Sequence, residues 1–222
     1  MAKLKQYKIA LLITAGGSSV RFGRNKLLEN IAGKPVIFRT IDAFSGFEFS
    51  QKVITVSQDL KQALIKTELP EDIELIDGGK NRQESVFNGL KALNNDTDFV
   101  IIHDGARPLI KPPTVEKCLF KAIETGAAIV AVSAVDTIKE VDNTGKIVST
   151  PCRENLRYVQ TPQIFDFGLI LGAHKKFEGE NFSDDAGLLE AMNIPVFVTG
   201  GEYSNIKITT ESDIIIAEGF LR

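Results

Sequence analysis

"LLITAGGSSVRFGRNKL" (residues 11–27) is an apolar run that ends abruptly in two glycines and two serines, with Arg21, Arg24 and Lys26 crowded just beyond. The run begins as "KIALLIT" (8–14), β-branched and apolar at successive positions rather than alternate ones. Continuous apolarity over a short span predicts a strand covered on both faces, as in a parallel sheet. The pattern returns in "KVITVS" (52–57), "IELI" (73–76), "FVIIHD" (99–104), "AAIVAVS" (127–133) and "PVFVT" (195–199).

Helical periods lie between these runs. "NRQESVFNGLKAL" (81–93) puts Val86, Leu90 and Leu93 on one stripe, with Asn81 placed to cap it. "PPTVEKCLFKAIETG" (112–126) opens on prolines, spaces Val115, Leu119 and Ile123 helically, and stops at Gly126. Alternating β and α segments predict an α/β fold with a mainly parallel sheet. Residues 134–164 break the alternation, and Asn143-Thr144-Gly145 reads as the turn of a hairpin, an arm leaving the main sheet. With no repeat or linker, the expectation is a single domain over 1–222 with a β-arm insertion at about 134–155.

A chain of 222 residues, 43% hydrophobic, is long enough to bury one substantial core. Its formal charge of −3 argues against a surface built to coat nucleic acid, so any anion site must be local. Cys118 and Cys152 have neither metal-type spacing nor a disulfide framework, which fits a reducing cytoplasm. No apolar run reaches transmembrane length, and no membrane partner is expected.

In open parallel sheets ligands sit in the loops after the carboxyl ends of strands. The unusual polar residues fall there: 16–26, 78–85, 103–108 and 136–139. Gly16 and Gly17 let main-chain amides approach an anion that Arg21 and Lys26 could neutralise; a tight turn with a solvated cationic rim is the competing account. The spacing matches neither a dinucleotide fingerprint nor a P-loop. In "HDGARP" (103–108), Asp104 could hold a ribose hydroxyl or a metal and Arg107 a phosphate or hydroxyl, or the two could brace a turn. "DGGKNRQES" (77–85) offers Gly-Gly amides to a base edge, with Ser85 one turn into the helix, or is simply a capped helix start. His103 reads as structural and His174 as a surface helix residue. Lys207 by itself is an ordinary exposed lysine. No Ser-His-Asp order, reactive-cysteine setting or carboxylate pair of catalytic type is evident, which argues against covalent hydrolytic chemistry and favours an enzyme that holds and neutralises phosphates.

"TAGGSSVRFGRNKLL", "DGGKNRQESV", "HDGARP", "VDTIK", "QTPQ" and "NIKIT", in that order, resemble the 2-C-methyl-D-erythritol 4-phosphate cytidylyltransferases, over about Lys8 to Ile216. The resemblance implies a Rossmann-like nucleotidyltransferase fold whose β-arm embraces a second subunit. It implies attack of a substrate phosphate oxygen on the α-phosphorus of CTP, with Mg²⁺, giving a CDP-linked polyol and pyrophosphate. Arg21 and Lys26 would grip the triphosphate, and Lys207 would approach the α-phosphate and the incoming phosphate. Ala15, Gly16, Gly17, Gly79 and Ser85 would hold the nucleotide. Asp104 would contact the ribose, the substrate or the metal, and Arg107 the polyol hydroxyls. Thr137 and Arg153, from the partner's arm, would bind the substrate phosphate, with Thr161 nearby.

The match has departures. The first loop has one more residue before its arginine and fewer before its lysine than the family pattern, Lys80 stands where an acid is common, and Ser204 replaces an aspartate. "GEYSNIKITT" would suit the sister ribitol-5-phosphate cytidylyltransferases, whereas "HDGARP" and Arg153 are nearer the methylerythritol type. A binding protein that has lost turnover is the contrasting class; retention of Arg21, Lys26 and Lys207 speaks against it. A UTP- or GTP-using transferase is a further one.

Overall fold

A computed structural model describes residues 6–17 and 25–222. Its seven-stranded sheet has the order β11-β7-β10-β6-β1-β4-β5. The strands are β1 (Ile9–Ala15), β4 (Gln51–Val56), β5 (Ile73–Asp77), β6 (Phe99–Asp104), β7 (Ala127–Ser133), β10 (Arg157–Asp166) and β11 (Phe197–Gly200). Two small ribbons lie outside it, β2 (Asn30–Ile31) with β3 (Lys34–Pro35), and β8 (Glu140–Val141) with β9 (Ile147–Ser149). The helices are α1 (Val36–Asp42), α2 (Gln58–Leu64), α3 (Arg82–Ala92), α4 (Pro112–Thr125), α5 (Phe167–Lys176), α6 (Asp185–Glu190) and α7 (Glu211–Phe220).

The continuous apolar runs are explained by two cores, one on each face of the sheet. Along β1, Ile9, Leu11, Ile13 and Ala15 enter one core while Ala10 and Leu12 enter the other. β6 divides likewise, with Phe99 and Ile101 opposite Val100 and Ile102. Burial on both faces is what helices on both sides of a parallel sheet require. The caps also follow the sequence. The Asn81 side chain accepts from the Glu84 amide at 2.8 Å, and Gly126 closes α4 at φ +85°.

One strand has no counterpart among the apolar runs of the sequence. Just past the arm expected at about 134–155, residues 157–166 return as β10, antiparallel between β6 and β7 in the middle of the sheet. Pro162 disguises this strand, because proline cannot donate to a ladder. It is tolerated because the register with β7 shifts between Val159 and Gln163, where regular pairing lapses. The hairpin itself is present as β8 and β9, its turn closed by the Asp142 carboxylate accepting from the Thr144 and Lys146 amides.

The connections place the site. From β1 the chain steps outward through β4 and β5, then crosses back to lay β6 on the other side of β1. The crevice past the carboxyl ends of β1 and β6 is thus a topological switch point, where open α/β sheets bind ligands.

Candidate active site

A cavity of about 400 Å³ opens at that switch point. Thr14 to Gly17 line it from β1, Lys26 and Leu27 from the following turn, Gly79 to Arg82 and Ser85 from the β5–α3 connection, Asp104 and Ala106 from the end of β6, and Lys207 from the last loop. Lys26 opens a short 3-10 turn capped by Asn25, whose side chain accepts from the Leu27 amide; burial of Leu27 fixes that turn against the sheet.

Asp104 is the centre of the cluster. Its Oδ1 accepts from Arg82 Nε at 3.2 Å and Thr14 Oγ1 at 3.3 Å, and its Oδ2 lies 2.7 Å from Lys207 Nζ and 3.8 Å from Arg107 Nε. Burial by itself would raise the carboxyl pKa. The charges of Arg82, Lys207 and Arg107 outweigh it and hold the group well below the usual carboxylate range. The Asp104 backbone is fixed from beneath: its amide donates to Thr161 Oγ1 at 3.0 Å, and that hydroxyl lies 3.0 Å from His103 Nδ1. His103 Nε2 lies 3.0 Å from the Arg107 carbonyl, which can only accept, so the proton sits on Nε2 and Nδ1 receives the Thr161 hydroxyl. Burial pushes the His103 pKa down to about 4, so the ring is neutral near pH 7.

The opposite wall is made by close backbone approach. A Cβ at Gly16 would stand 2.8 Å from Ser85 Oγ, and one at Gly78 would stand 3.1 Å from the Gly16 Cα. Only glycine lets these two loops meet α3. The Gly-Gly amides are not free to read a base, contrary to expectation. Gly78 donates to the Val56 carbonyl at 2.8 Å and Gly79 to Ser85 Oγ at 2.9 Å, while Ser85 donates to the Asn81 carbonyl. These bonds shape the loop, and Ser85 is its internal brace.

The remaining expected residues divide. Ala15, Gly16, Gly17, Lys26, Gly79, Ser85, Asp104 and Lys207 are brought together around the cavity. Arg21 lies outside the described residues. Arg107 stands beside the cluster, its Nε 3.8 Å from Asp104 Oδ2, and its Nη1 donates to the Asn205 carbonyl at 2.8 Å, tying the β6 loop to the segment that carries Lys207. Thr161 is buried and holds Asp104 and His103 rather than facing the cavity. Thr137 and Arg153 are exposed and do not line the cavity of their own chain; Arg153 Nη1 donates to the Val135 carbonyl. Lys80 lines the cavity, and its amide donates to Glu84. Ser204 sits 3.5 Å from Glu202, which pairs with Lys111.

His174 corrects an expectation. It is buried, not superficial, because α5 turns Ile170, Ala173 and His174 inward together. Its ring stacks on Phe87 of α3, and Nε2 lies 3.3 Å from Asp185 Oδ1.

A model of the family described as 2-C-methyl-D-erythritol 4-phosphate cytidylyltransferase matches residues 9–222. The chain belongs to that family. Among curated proteins of that name, it is 41% identical to the one from Dictyoglomus thermophilum over 223 residues, covering 96% of each chain. It is 39% identical to the one from Bacillus licheniformis, covering 97% of this chain and 95% of the other. Among solved structures it resembles the 4-diphosphocytidyl-2C-methyl-D-erythritol synthase of Anaerococcus prevotii, with a TM-score of 0.86, 31% identity and coverage of 100% and 99%. The cytidylyltransferase of Thermus thermophilus gives a TM-score of 0.78 at 29% identity, covering 96% and 98%.

In this cytidylyltransferase-family chain, Arg82 and Asp185 are residues that the sequence does not single out. Arg82 stands among other polar residues at the start of α3, and Asp185 is the second of an Asp-Asp pair. Nothing in residue type or spacing marks them; only the fold brings α3 and α6 together at Asp104.

Proposed function

We infer that the chain transfers CMP from CTP to 2-C-methyl-D-erythritol 4-phosphate, giving 4-diphosphocytidyl-2-C-methyl-D-erythritol and pyrophosphate in isoprenoid precursor synthesis by the non-mevalonate route. Beside family membership, one observation carries this reading. Lys26, Lys80, Arg82 and Lys207 face the cavity against the single carboxylate of Asp104 among its described lining residues. On a chain of net charge −3, such a local excess of cations suits a triphosphate and a phosphomonoester together.

An oxygen of the substrate phosphate attacks the α-phosphorus, the new P–O bond forms, the α–β bridge bond breaks, and pyrophosphate leaves with that electron pair. Two anions must meet, so the work of the protein is neutralisation and alignment. Lys207, poised on Asp104, supplies a cation between the α-phosphate and the incoming phosphate. Lys26, with Arg21, offsets charge gathering on the leaving pyrophosphate. Since the Gly78 and Gly79 amides are engaged internally, these peptides meet cytosine through carbonyl oxygens, acceptors for its exocyclic amine.

Mg²⁺ fits this donor set. Among the described residues no group of three or more His, Cys, Asp or Glu side chains forms a metal cage. Mg²⁺ commonly takes one carboxylate with phosphate oxygens and water, and Asp104, held ionised in the cavity, would be that carboxylate. The ion would supply further neutralisation of the triphosphate.

The substrate phosphate would be completed by Thr137 and Arg153 of a second copy in a homodimer joined through the arm. The exposed apolar side chains of the hairpin, Val141, Ile147 and Val148, with Tyr158 and Val159 of β10, support this, being surface that a partner would cover. The two cysteines, with neither metal-type spacing nor a disulfide framework, support a place in the reducing cytoplasm; among the described residues no helix is long and apolar enough to cross a membrane. Competition among CTP, UTP, GTP and ATP for pyrophosphate release tests the nucleotide assignment. Turnover with CTP alone is the expected result, and equal turnover with UTP or a purine nucleotide would overturn it.

A further inference from the structure

The ion pairs of the cavity do not end at Asp104. Behind it a line of charge runs inward, away from solvent. Arg82 Nε meets Asp104 Oδ1 at 3.2 Å and its Nη2 meets Asp185 Oδ2 at 2.8 Å. Asp185, at the start of α6, is 1% exposed, and the buried His174 ring stands 3.3 Å from its other oxygen. The arginine is therefore shared by two carboxylates, one facing the ligand cavity and one sealed in the protein. The elements that hold Asp185 are themselves fastened. Gln163 of β10 accepts from the Asp185 and Ala186 amides through Oε1 and donates to Asp184 through Nε2. Gln83, beside Arg82, donates to the Phe177 carbonyl and accepts from the Phe182 amide, pinning the segment that leads into α6.

We propose that Asp185 is a positioning residue for the transfer reaction, acting through Arg82 to fix how Asp104 presents its carboxylate to the cavity. Placing an ionised carboxylate in a buried site is costly, and here it serves neither surface solubility nor a metal. What it does is hold the far end of a guanidinium. With Nη2 fixed, Nε meets Asp104 at Oδ1, which leaves Oδ2 to hold Lys207, the cation that meets the reacting phosphates. Without Asp185, the guanidinium has one carboxylate left and can rotate into a tighter pair with Asp104 across both oxygens, competing with Lys207. His174 backs the arrangement by packing Asp185 from the side opposite Arg82. The inference rests on the phosphate-transfer reading of the same cavity, and it adds residues that touch no ligand.

The test is a double-mutant cycle on the intact protein, measuring kcat and KM for CTP together with thermal melting for the wild type, Asp185→Asn, Arg82→Gln and the double variant. Positioning predicts that Asp185→Asn lowers kcat at least tenfold with a change in KM for CTP under threefold. It also predicts that the same substitution changes kcat by less than threefold once Arg82 is glutamine. Removing one partner of a buried pair costs more stability than removing both, so kcat is read at a temperature at which the melting curves show all four proteins folded. At that temperature equal kcat in Arg82→Gln and the double variant supports the proposal, and a further tenfold loss in the double variant overturns it. An unchanged kcat in Asp185→Asn, or the same loss in both backgrounds, also overturns it. A wild type silent with CTP would strike the transfer reading instead, and is seen before any variant is compared.

Discussion

Lys207 Nζ lies 2.7 Å from Asp104 Oδ2, joining the last loop to the carboxyl end of the central strand β6. The lysine is 39% exposed while the carboxylate is 9% exposed, so the cation is free to swing toward a ligand and the anion is not. Lys207→Met should therefore lower kcat by about 100-fold, the scale on which a single transition-state donor acts. Because Arg82 remains on Asp104, the melting temperature should move little. Steady-state pyrophosphate release and calorimetry check the two halves separately.

Lys26 opens the turn fixed by Asn25 and buried Leu27, so its backbone is anchored independently of its ammonium. Lys26→Ala should abolish most CTP turnover while leaving circular dichroism and melting close to wild type. Unchanged turnover would remove Lys26 from the triphosphate site.

Gly16 and Gly17 are neighbours with opposite expectations. A Cβ at Gly16 meets Ser85 Oγ at 2.8 Å, whereas one at Gly17 meets nothing within 4 Å. Gly16→Ala should destabilise the protein by about 1–3 kcal/mol through overpacking, and Gly17→Ala by far less. Urea melts of the two variants side by side measure the difference.

His103 gives a pH dependence of known sign. Its pKa is about 4 in the folded chain, against about 6.5 for an unperturbed histidine. Between those values the unfolded chain binds a proton that the folded chain refuses, so stability falls as pH drops through this window. The loss from this residue should reach about 2–3 kcal/mol by pH 4.5. His103→Gln should be less stable at pH 7, for want of its hydrogen bonds to Thr161 and Arg107, yet show a shallower decline toward pH 4.5. Denaturant melts from pH 7 to 4.5 measure both slopes.

The proposed homodimer would bring Arg153 of one subunit and Lys207 of the other to one site. Inactive Arg153→Ala and Lys207→Met proteins, mixed and allowed to exchange subunits, should regain activity, because one site of each heterodimer then carries neither defect. No recovery, or a fully active monomer by light scattering, would contradict the shared site.

Much of this was legible in the chain itself, for physical reasons. The strands that form β1, β4, β6 and β7 are short apolar runs because both their faces are largely buried, the edge strands β5 and β11 keep the pattern although partly exposed, and the caps Asn81 and Gly126 are local devices. β10 was hidden because a proline masks its ladder and a strong turn precedes it. Arg107 and Thr161 also have scaffold contacts that residue type does not reveal, since both types serve ligands and backbone equally well; the distances to Asn205, His103 and the Asp104 amide bring those contacts out. His174, Asp185 and Arg82 had no pattern to betray them, since a buried charge line across three helices leaves no period in sequence.

The most direct test of the account is pyrophosphate release by the purified protein with CTP and Mg²⁺, comparing 2-C-methyl-D-erythritol 4-phosphate with ribitol 5-phosphate. The account predicts turnover with the first and none above background with the second. Turnover confined to ribitol 5-phosphate, or silence with both, would contradict it.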